Sequence, residues 1–290
     1  MDIQKLIQKI TDITIWKKGD QRAPHKPLLL LYVLLQYKQG HERLLNYGTE
    51  IEAPLFDLLT RFGPQRTHYY PNIPFWSLQS DGFWQLTNIE NCINPIQPSR
   101  EPTSKRLASC QVYGGFDEQT LQLIKTNTNI IDQLAEQILS QHFPESVQEN
   151  LSNRLGFTPV DANKHRDPKF RKIVLRAYNY QCAIFVYDLR YDSISIGLEA
   201  AHVKWKQHGG LCIVNNGLAL CSLYHSAFDM GAIEVDSSLN IKVSSGVNGN
   251  QMVEKLFWDF EDKNILLPSL KEDYLYDRFI EWHLREVFRE

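Results

Sequence analysis

The feature that most constrains the fold of this 290-residue chain is one apolar run, Leu28–Leu35, in which Tyr32 alone carries a polar side-chain atom. Pro27 stands directly before the run, at a position where a helix can begin, because the first turn does not need the N–H that proline lacks. A helix that is apolar on most of its faces must be covered on all sides, so we predict that it lies in the middle of an N-terminal domain. No apolar run in the chain is longer, and a membrane span needs about 20 apolar residues, so we expect no transmembrane helix.

Composition places the chain among ordinary globular proteins. Hydrophobic residues make up 43% of it and charged residues 22%, which excludes collagen-like, low-complexity and wholly disordered classes. Met1–Lys5 is not followed by an apolar signal segment, and the five cysteines form no close pair. We therefore expect a cytoplasmic protein with free thiols and no disulfide framework.

The first half of the chain has mainly helical patterning. Apolar residues recur at helical spacing in four more segments, which we predict to be helices: Ile3–Ile10, Glu50–Phe62, Asp117–Lys125 and Ile130–Gln141. Two short segments, Phe75–Leu78 and Phe83–Leu86, have β-like patterns, and the Asp81-Gly82 turn signal between them predicts a small hairpin. We predict an α+β fold in two domains, with residues 1–160 forming a mainly helical first domain with its linker and residues 161–290 forming the second.

The second domain opens with a basic helix. Residues 164–176 hold six lysines and arginines against one acid, a pattern that a solvated helix face explains about as often as contact with DNA. Short strands are predicted at Cys182–Tyr187, Leu198–Val203 and Leu218–Leu220, followed by a helix from Ser222 to Gly231 and a hairpin through Val243.

Two histidines and an asparagine carry the chemistry of this domain. His202, Asn216 and His225 follow one another at intervals of 14 and 9 residues, in a predicted order of strand, loop, strand and helix. In this layout one imidazole can activate water while the other binds a divalent cation, and hydrolysis of a phosphodiester needs both. Two arbitrary histidines are more often ordinary partly buried residues, and this alternative stays open on spacing alone.

The strings Leu-Glu-Ala-Ala-His, Asn-Gly-Leu-Ala-Leu-Cys and His-x-x-Phe-Asp-x-Gly resemble the HNH nuclease motif. The resemblance implies a C-terminal HNH domain of ββα-metal type, with His202 as general base, Asn216 holding the loop and His225 as a metal ligand. Ala201 stands where many such sites have a carboxylate, so Glu199 and Asp229 are the candidates for further ligands, each as readily structural. Magnesium or manganese is the expected ion, and nickel or cobalt also suits an imidazole ligand.

A structural zinc site is not expected. Many similar nucleases have Cys-x-x-Cys before the first strand and Cys-x-x-His before the metal histidine, whereas this chain has Phe185 after Cys182 and Tyr224 after Cys221 at those positions. Two thiols are too few for a tetrahedral site. We expect Phe185 to pack against Tyr224 in its place.

Three segments of the first half resemble the sulfur-binding domain of phosphorothioated-DNA-dependent restriction endonucleases: Arg22–Pro27, Phe62–Arg66 and Tyr70–Leu78. Glu281–Phe288 is similar to the end of the same family. Sulfur in place of a phosphate oxygen is larger and poorly hydrated, so an apolar surface without hydrogen-bond donors favours it.

The resemblance implies two sets of DNA-binding residues. The candidates for the wall of a sulfur cavity are Tyr70, Pro71, Pro74, Phe75, Trp76 and Ser77. The candidates for the flanking phosphates and base edges are Arg22, His25, Lys26, Arg66 and His68. Phe75 and Trp76 are equally compatible with a core strand, and His25 with a helix cap.

Together the two resemblances imply an endonuclease of the type IV restriction class that binds double-stranded DNA with phosphorothioate linkages and cuts nearby. Cutting both strands needs a second active site or a second event, so a homodimer is plausible. Two alternatives stay open. One is a non-catalytic reader of modified DNA with a decayed HNH domain, and the other is an HNH endonuclease for methylated or unmodified DNA.

Overall fold

The computed structural model describes residues 2–16, 19–93, 101–127, 129–157 and 167–290. It consists of two compact units. The first comprises Met1–Lys18, Ala23–His142 and Asn150–Val160, and the second comprises Gly19–Arg22, Phe143–Glu149 and Asp161–Glu290. The predicted domain border between residues 160 and 161, and the basic residues Lys164 and Arg166, lie outside the described residues.

The described residues form twelve α-helices and nine short strands. The helices, in chain order, are α1 Ile3–Thr11, α2 His25–Lys38, α3 Glu52–Phe62, α4 Asn72–Ser77, α5 Ser104–Ser109, α6 Glu118–Thr126, α7 Ile130–His142, α8 Glu145–Leu155, α9 Pro168–Ala177, α10 Ser222–Asp229, α11 Gln251–Leu256 and α12 Asp277–Glu286. The strands are β1 Leu45–Asn46, β2 Trp84–Thr87, β3 Tyr113–Phe116, β4 Arg190–Tyr191, β5 Ile194–Ser195, β6 Leu198–His202, β7 Gly217–Cys221, β8 Ile233–Val235 and β9 Ile241–Val243. None of the described helices combines the length and the apolar character that crossing a membrane requires.

The apolar run lies in α2, and the prediction of a central helix is confirmed. Its leucines from Leu28 to Leu31 are fully buried, and α2 packs against α3, α4 and α7. Tyr32, the one interruption of the run, donates a hydrogen bond of 2.8 Å from its hydroxyl to the carbonyl of Glu50. The polar atom is thereby satisfied without breaking the apolar surface of the helix.

A three-stranded antiparallel sheet, in the order β1, β3, β2, covers one side of this unit. Strand β3 lies in the middle, and the ring of its Phe116 meets the rings of Tyr37 and Phe83 edge to face at 5.4 and 5.5 Å. Helices segregated from a small antiparallel sheet make an α+β unit, so the predicted fold class is confirmed.

The predicted hairpin is wrong in its first arm. Residues 72–77 are helix α4, and a 3-10 turn at Leu78–Asp81 follows it, so β2 pairs with β3 instead. Pro71 and Pro74 lie at the cap and in the first turn of α4, where their fixed φ favours a helix. The Asp-Gly pair ends this helical segment, with Gly82 at a φ of 74°.

The second unit is built on the antiparallel hairpin of β6 and β7, in which His202 lies opposite Gly217. Helices α9 and α10 pack on this hairpin, and β8 and β9 form the predicted second hairpin. Helix α12 packs against β8. Its His283 is fully buried, hydrogen-bonds Glu234 through Nδ1, and stacks on Phe228 at 3.7 Å.

The strand predicted at Cys182–Tyr187 is wrong. The N–H of Val186 donates to the carbonyl of Cys182 at 3.0 Å and closes a turn there. Val186 has a φ of 53°, which an extended strand does not allow. The turn is fastened to the hairpin because the N–H of Ala183 donates to the carbonyl of Ala219 at 2.7 Å.

A buried ion pair in the first unit generates a stability prediction. Lys26 Nζ lies 2.6 Å from Asp81 Oδ2, and the side chains are only 9% and 3% exposed. Lys26→Ala leaves the Asp81 carboxylate buried without its counter-charge, so we expect the free energy of unfolding to fall by about 3 kcal/mol. Urea denaturation measures this loss.

The matched control is Lys38→Ala. Lys38 also forms a 2.6 Å ion pair, with Asp132, but those side chains are 34% and 39% exposed. Removal of an exposed pair should cost less than about 1 kcal/mol. Equal losses from the two substitutions would contradict the buried character of the Lys26 pair.

Candidate active site

A small cavity in the second unit brings together the side chains that carry the predicted chemistry. It has a volume of about 60 Å³ and is lined by His202, His225, Glu199 and Asp229, together with residues of α9 and the loop after β6. This volume corresponds to about two molecules of liquid water at roughly 30 Å³ each. The cavity therefore has room for an ion and a water, while a nucleotide must stay at its mouth.

His202 ends strand β6, and its imidazole is fixed by stacking. The ring lies on that of Phe170 from α9, with centroids 3.8 Å apart and planes 16° from parallel. A Cβ on Gly217, opposite in the hairpin, would approach Val174 to 2.4 Å, so only glycine allows α9 to come this close. Gly217 thus allows α9 to pack on the hairpin, in addition to following the 3-10 turn that ends at Asn216.

The environment of His202 keeps its imidazole neutral. Burial lowers its pKa to about 4, against the raising effect of the Asp229 charge and with help from the positive charges of His225 and Lys206. A neutral imidazole at pH 7 can accept a proton, which is what a general base must do.

His225 lies in α10 between two carboxylates. Its Nδ1 is 2.7 Å from Glu199 Oε2 and its Nε2 is 3.2 Å from Asp229 Oδ2. Burial by itself lowers the pKa of His225, but the Asp229 charge and hydrogen bonds to both carboxylates raise it to about 10. The ring is therefore an imidazolium at neutral pH and donates from both nitrogens.

Asp229 is fixed by further partners, and its side chain is only 2% exposed. Trp205 Nε1 donates to Asp229 Oδ1 at 3.0 Å, and the hydroxyl of Ser146 donates to Oδ2. The side chain of Glu199 is 21% exposed at the same cluster. Asp229 thus orients the ring of His225, while Glu199 is the carboxylate that solvent reaches more readily.

Among the described residues, no group of three or more histidine, cysteine, aspartate or glutamate side chains has the arrangement of a metal site. In the cluster around His225, both ring nitrogens are engaged by carboxylates. The chemistry of the donors nevertheless suits a divalent cation, since carboxylate oxygens and imidazole nitrogens bind magnesium, manganese, nickel and cobalt. A cation at this cluster would replace the charge that the proton on His225 now supplies.

Asn216 is fully buried and holds the loop between β6 and β7. Its Oδ1 accepts from the N–H of Lys204 at 2.8 Å, and its Nδ2 donates to the carbonyls of Lys204 and Leu211 at 3.0 and 2.9 Å. The two bonds to Lys204 join the ends of the loop, and the bond to Leu211 holds its middle. The side chain acts on the geometry behind His202, as expected for a positioning residue.

The aromatic residues at the positions of the missing zinc ligands have other partners than predicted. Phe185 packs edge to face on Phe260 at 5.6 Å, and Tyr224 on Phe257 at 5.5 Å, so the expected contact between them is wrong. The segment around residues 257–260, which the sequence did not single out, therefore supplies the aromatic packing for both residues.

The two cysteines of these positions also interact. The hydrogen bond from the Cys221 thiol lowers the pKa of Cys182 to about 6.

Three predicted DNA contacts have internal partners instead. Phe75 is fully buried between the rings of Tyr47 at 4.9 Å and Trp84 at 5.8 Å, so it is a core residue. Lys26 is paired with Asp81. Arg22 belongs to the second unit, where it is 4% exposed, bonded to Glu286 and stacked over Trp205 at 4.2 Å. Burial and internal partners thus give these three residues structural roles in the described structure.

The other predicted DNA contacts lie on the first unit. Burial and the nearby Arg66 charge lower the pKa of His25 to about 4, so His25 is neutral beside Arg66. The rings of His68 and Tyr70 are 6.3 Å apart, and Tyr70 is 51% exposed. The remaining four candidates follow in the chain, two buried prolines and two partly exposed residues, namely Pro71, Pro74, Trp76 and Ser77.

Phe170, Trp205 and Ser146 belong to the site but were missed by sequence reasoning. Phe170 lies in the predicted basic helix, and an apolar residue among lysines and arginines indicates the buried face of such a helix. Ser146 lies far from the HNH strings in sequence and offered none.

Comparison with known proteins yields two family matches. A family described as "ScoMcrA-like, DNA sulfur-binding domain" matches residues 3–160, and one described as "HNH endonuclease" matches residues 182–236, which include His202, Asn216 and His225. No curated protein matches the chain.

Similar solved structures include two sulfur-binding domains and one restriction endonuclease. The sulfur-binding domain of ScoMcrA complexed with phosphorothioated DNA is 22% identical, with a TM-score of 0.46 over 52% of this chain and 94% of that one. The corresponding domain of SprMcrA with phosphorothioated DNA is 19% identical, with a TM-score of 0.43 over 54% and 94%. The type IV phosphorothioation-dependent restriction endonuclease ScoMcrA is 20% identical, with a TM-score of 0.43 over 52% of this chain and 27% of that enzyme.

The hydrogen bonds of Asn216 generate a second stability prediction. Asn216→Ala leaves two carbonyls and one N–H of the loop without their partner, and each buried unpaired group costs about 1 to 3 kcal/mol. We expect the free energy of unfolding to fall by about 3 kcal/mol, measured by urea denaturation.

Asn248→Ala serves as the comparison. Asn248 is exposed and makes one hydrogen bond, from Nδ2 to the carbonyl of Gly246 at 2.8 Å. Its loss should change stability by less than about 0.5 kcal/mol. If the Asn216 variant were as stable as the Asn248 variant, the hydrogen bonds of Asn216 would not be what stabilises the loop.

Proposed function

The chain belongs to the family of ScoMcrA-like DNA sulfur-binding domains, and from this premise we propose that it is a type IV restriction endonuclease. In this proposal residues 1–160 recognise phosphorothioate-modified double-stranded DNA, and residues 161–290 hydrolyse a nearby phosphodiester bond through an HNH site. One observation carries the nuclease part: His202 and His225, from separate elements, line one cavity with Glu199 and Asp229. We place the activity in the cytoplasm, where DNA of a restricting cell is found.

Recognition of the sulfur is assigned to the surface near Tyr70. Tyr70 is exposed just before helix α4, and Trp76 and Ser77 are partly exposed in the last turn of this helix, whereas Pro71 and Pro74 are buried behind them and hold the backbone in place. Such a surface dehydrates sulfur at less cost than oxygen. The candidates for the flanking phosphates and base edges are the positively charged Arg66 together with His25 and His68.

The chemical step is assigned to His202. Its neutral imidazole takes a proton from a water molecule, and the water oxygen forms a bond to phosphorus while the P–O bond opposite to it breaks. The leaving oxygen departs with the electron pair of that bond and takes a proton from solvent. His225 and Glu199 would hold a divalent metal ion, which supplies positive charge to the scissile phosphate and the leaving oxygen. Asp229 orients His225, and Asn216 holds the loop that follows the base. A homodimer would provide the second active site for cutting both strands.

A cleavage assay tests the function. Duplexes with phosphorothioate linkages, with oxygen only, and with methylated cytosine are incubated with the protein and Mn²⁺. We expect cleavage of the phosphorothioated duplex, and we expect His202→Ala to lower its rate by at least about 100-fold because the general base is gone. Binding of the same duplex, measured by fluorescence anisotropy, should remain within about 3-fold of wild type.

Each other outcome selects an alternative. Binding of the phosphorothioated duplex without cleavage at any Mn²⁺ concentration would identify a reader with a decayed nuclease. Equal cleavage of the oxygen-only or methylated duplex would show that sulfur is not what the first unit recognises.

The protonated state of His225 predicts how a metal ion binds. The pKa of His225 is raised to about 10, so at pH 7.5 the ring must lose a proton before it can bind a cation. We expect Mn²⁺ to release about one proton per bound ion, measured by titration calorimetry in two buffers of different ionisation enthalpy.

Glu199→Gln should weaken Mn²⁺ binding by about 10-fold or more, since it removes a charged oxygen ligand. Glu145→Gln is the control, because Glu145 lines the same cavity without bonding the ring of His225. Mn²⁺ binding without proton release would place the ion elsewhere.

A further inference from the structure

The cavity presents an electrostatic difficulty for a nucleic acid substrate. Its lining holds four carboxylates, those of Glu145, Asp167, Glu199 and Asp229. These repel a phosphodiester, which carries a full negative charge. A divalent ion at His225 offsets only part of that charge, so the scissile phosphate needs a cationic partner from the protein.

Two permanently positive side chains line the same cavity, Arg171 and Lys206. Lys206 is exposed, and its charge lowers the pKa of His202, so it already acts on the base. Arg171 follows Phe170, the residue that stacks on His202, and lies four residues after Asp167, the cap of α9. This spacing puts Arg171 on the face of α9 that looks onto the cavity.

The guanidinium of Arg171 has donors to spare. Among the described residues its single hydrogen bond runs from Nη2 to the carbonyl of Leu198 at 2.9 Å, at the start of β6. Within the same part of the chain it has no carboxylate partner, although four carboxylates line the cavity. A guanidinium carries five N–H donors in a planar fork that matches two oxygens of a phosphate. The bond to Leu198 holds that fork at the mouth of the cavity.

We propose that Arg171 is a catalytic residue that binds the non-bridging oxygens of the scissile phosphate and stabilises the charge that develops on them. This inference rests on the proposed nuclease function and adds a residue outside the HNH strings. The neighbouring Lys169, Lys172 and Arg176 of the basic helix are exposed but do not line the cavity, so their charges serve at most the longer-range attraction of DNA.

Three variants of the full chain test the inference: Arg171→Gln, Arg171→Lys and Lys172→Gln. Glutamine keeps an N–H donor for the Leu198 carbonyl but loses the charge, whereas lysine keeps the charge but loses the fork. We measure single-turnover cleavage of the phosphorothioated duplex at saturating protein and Mn²⁺. Expected rates are about 100-fold below wild type for Arg171→Gln, about 10-fold below for Arg171→Lys, and within about 2-fold for Lys172→Gln.

A substrate variant separates contact with phosphate from a structural role. A methylphosphonate at the mapped cleavage position removes the negative charge of that phosphate. If Arg171 binds this group, the loss caused by Arg171→Gln should shrink from about 100-fold to about 1-fold on the modified substrate. Binding of the unmodified substrate by the variant, measured by anisotropy, should stay within about 3-fold.

Several outcomes would overturn the proposal. The first is a wild-type cleavage rate for Arg171→Gln. The second is a fall in rate for Arg171→Gln that is the same on the methylphosphonate substrate as on the unmodified one. The third is an equal fall in rate for Arg171→Gln and Arg171→Lys together with a lower melting temperature of both variants. A wild-type protein that cleaves no duplex would instead refute the nuclease function itself, and the role of Arg171 with it.

Discussion

The candidate nuclease depends on the charge balance around one imidazole, that of His225. Glu199 comes from strand β6 and Asp229 from the end of helix α10, and their carboxylates meet at the two nitrogens of this ring. Without a positive charge between them, two carboxylates at this distance would repel each other and open the contact between strand and helix. A proton on His225 supplies the charge in the metal-free protein. In the proposed nuclease a divalent ion would take the place of this proton, so the same cluster would be held together by charge in either state.

The second histidine has the opposite environment. His202 is buried under the ring of Phe170, with its Nε2 3.5 Å from the sulfur of Cys212, and this burial disfavours its charged form. The carboxylates beside His225 favour the charged form of that ring. Two imidazoles that line one cavity are thereby held in different protonation states at neutral pH, with His202 neutral and His225 protonated. The difference follows from placement, because His202 ends a strand under helix α9 whereas His225 lies between two carboxylates.

The sequence predicted those parts of the structure that local patterns determine. The apolar run required a central helix, and the HNH strings implied the order of strand, loop, strand and helix that the structure has. The sequence did not predict the features that depend on contacts between residues far apart in the chain. The apolar residues of Phe75–Leu78 are compatible with a fully buried strand and, because Phe75 and Leu78 are three residues apart, also with a helical turn. Pro71 and Pro74 favour the helix, which the structure has. Arg22 and Lys26 looked like surface charges because Glu286 and Asp81, their partners, lie far away in sequence.

The turn at Cys182 and the start of helix α10, where the resemblance led us to expect no zinc, are joined by backbone and side-chain contacts. A structural zinc fixes the segment before the first strand to the start of the helix, and here backbone and aromatic contacts make that connection. The N–H of Cys221 donates to the sulfur of Cys182 at 3.3 Å, next to the first residue of α10. Tyr224 is buried against Phe257, so a later segment of the chain covers the junction. Helix α10 is thus anchored by apolar burial at Tyr224, one residue before His225, so the position of the His225 ring depends on packing as well as on its two carboxylate partners.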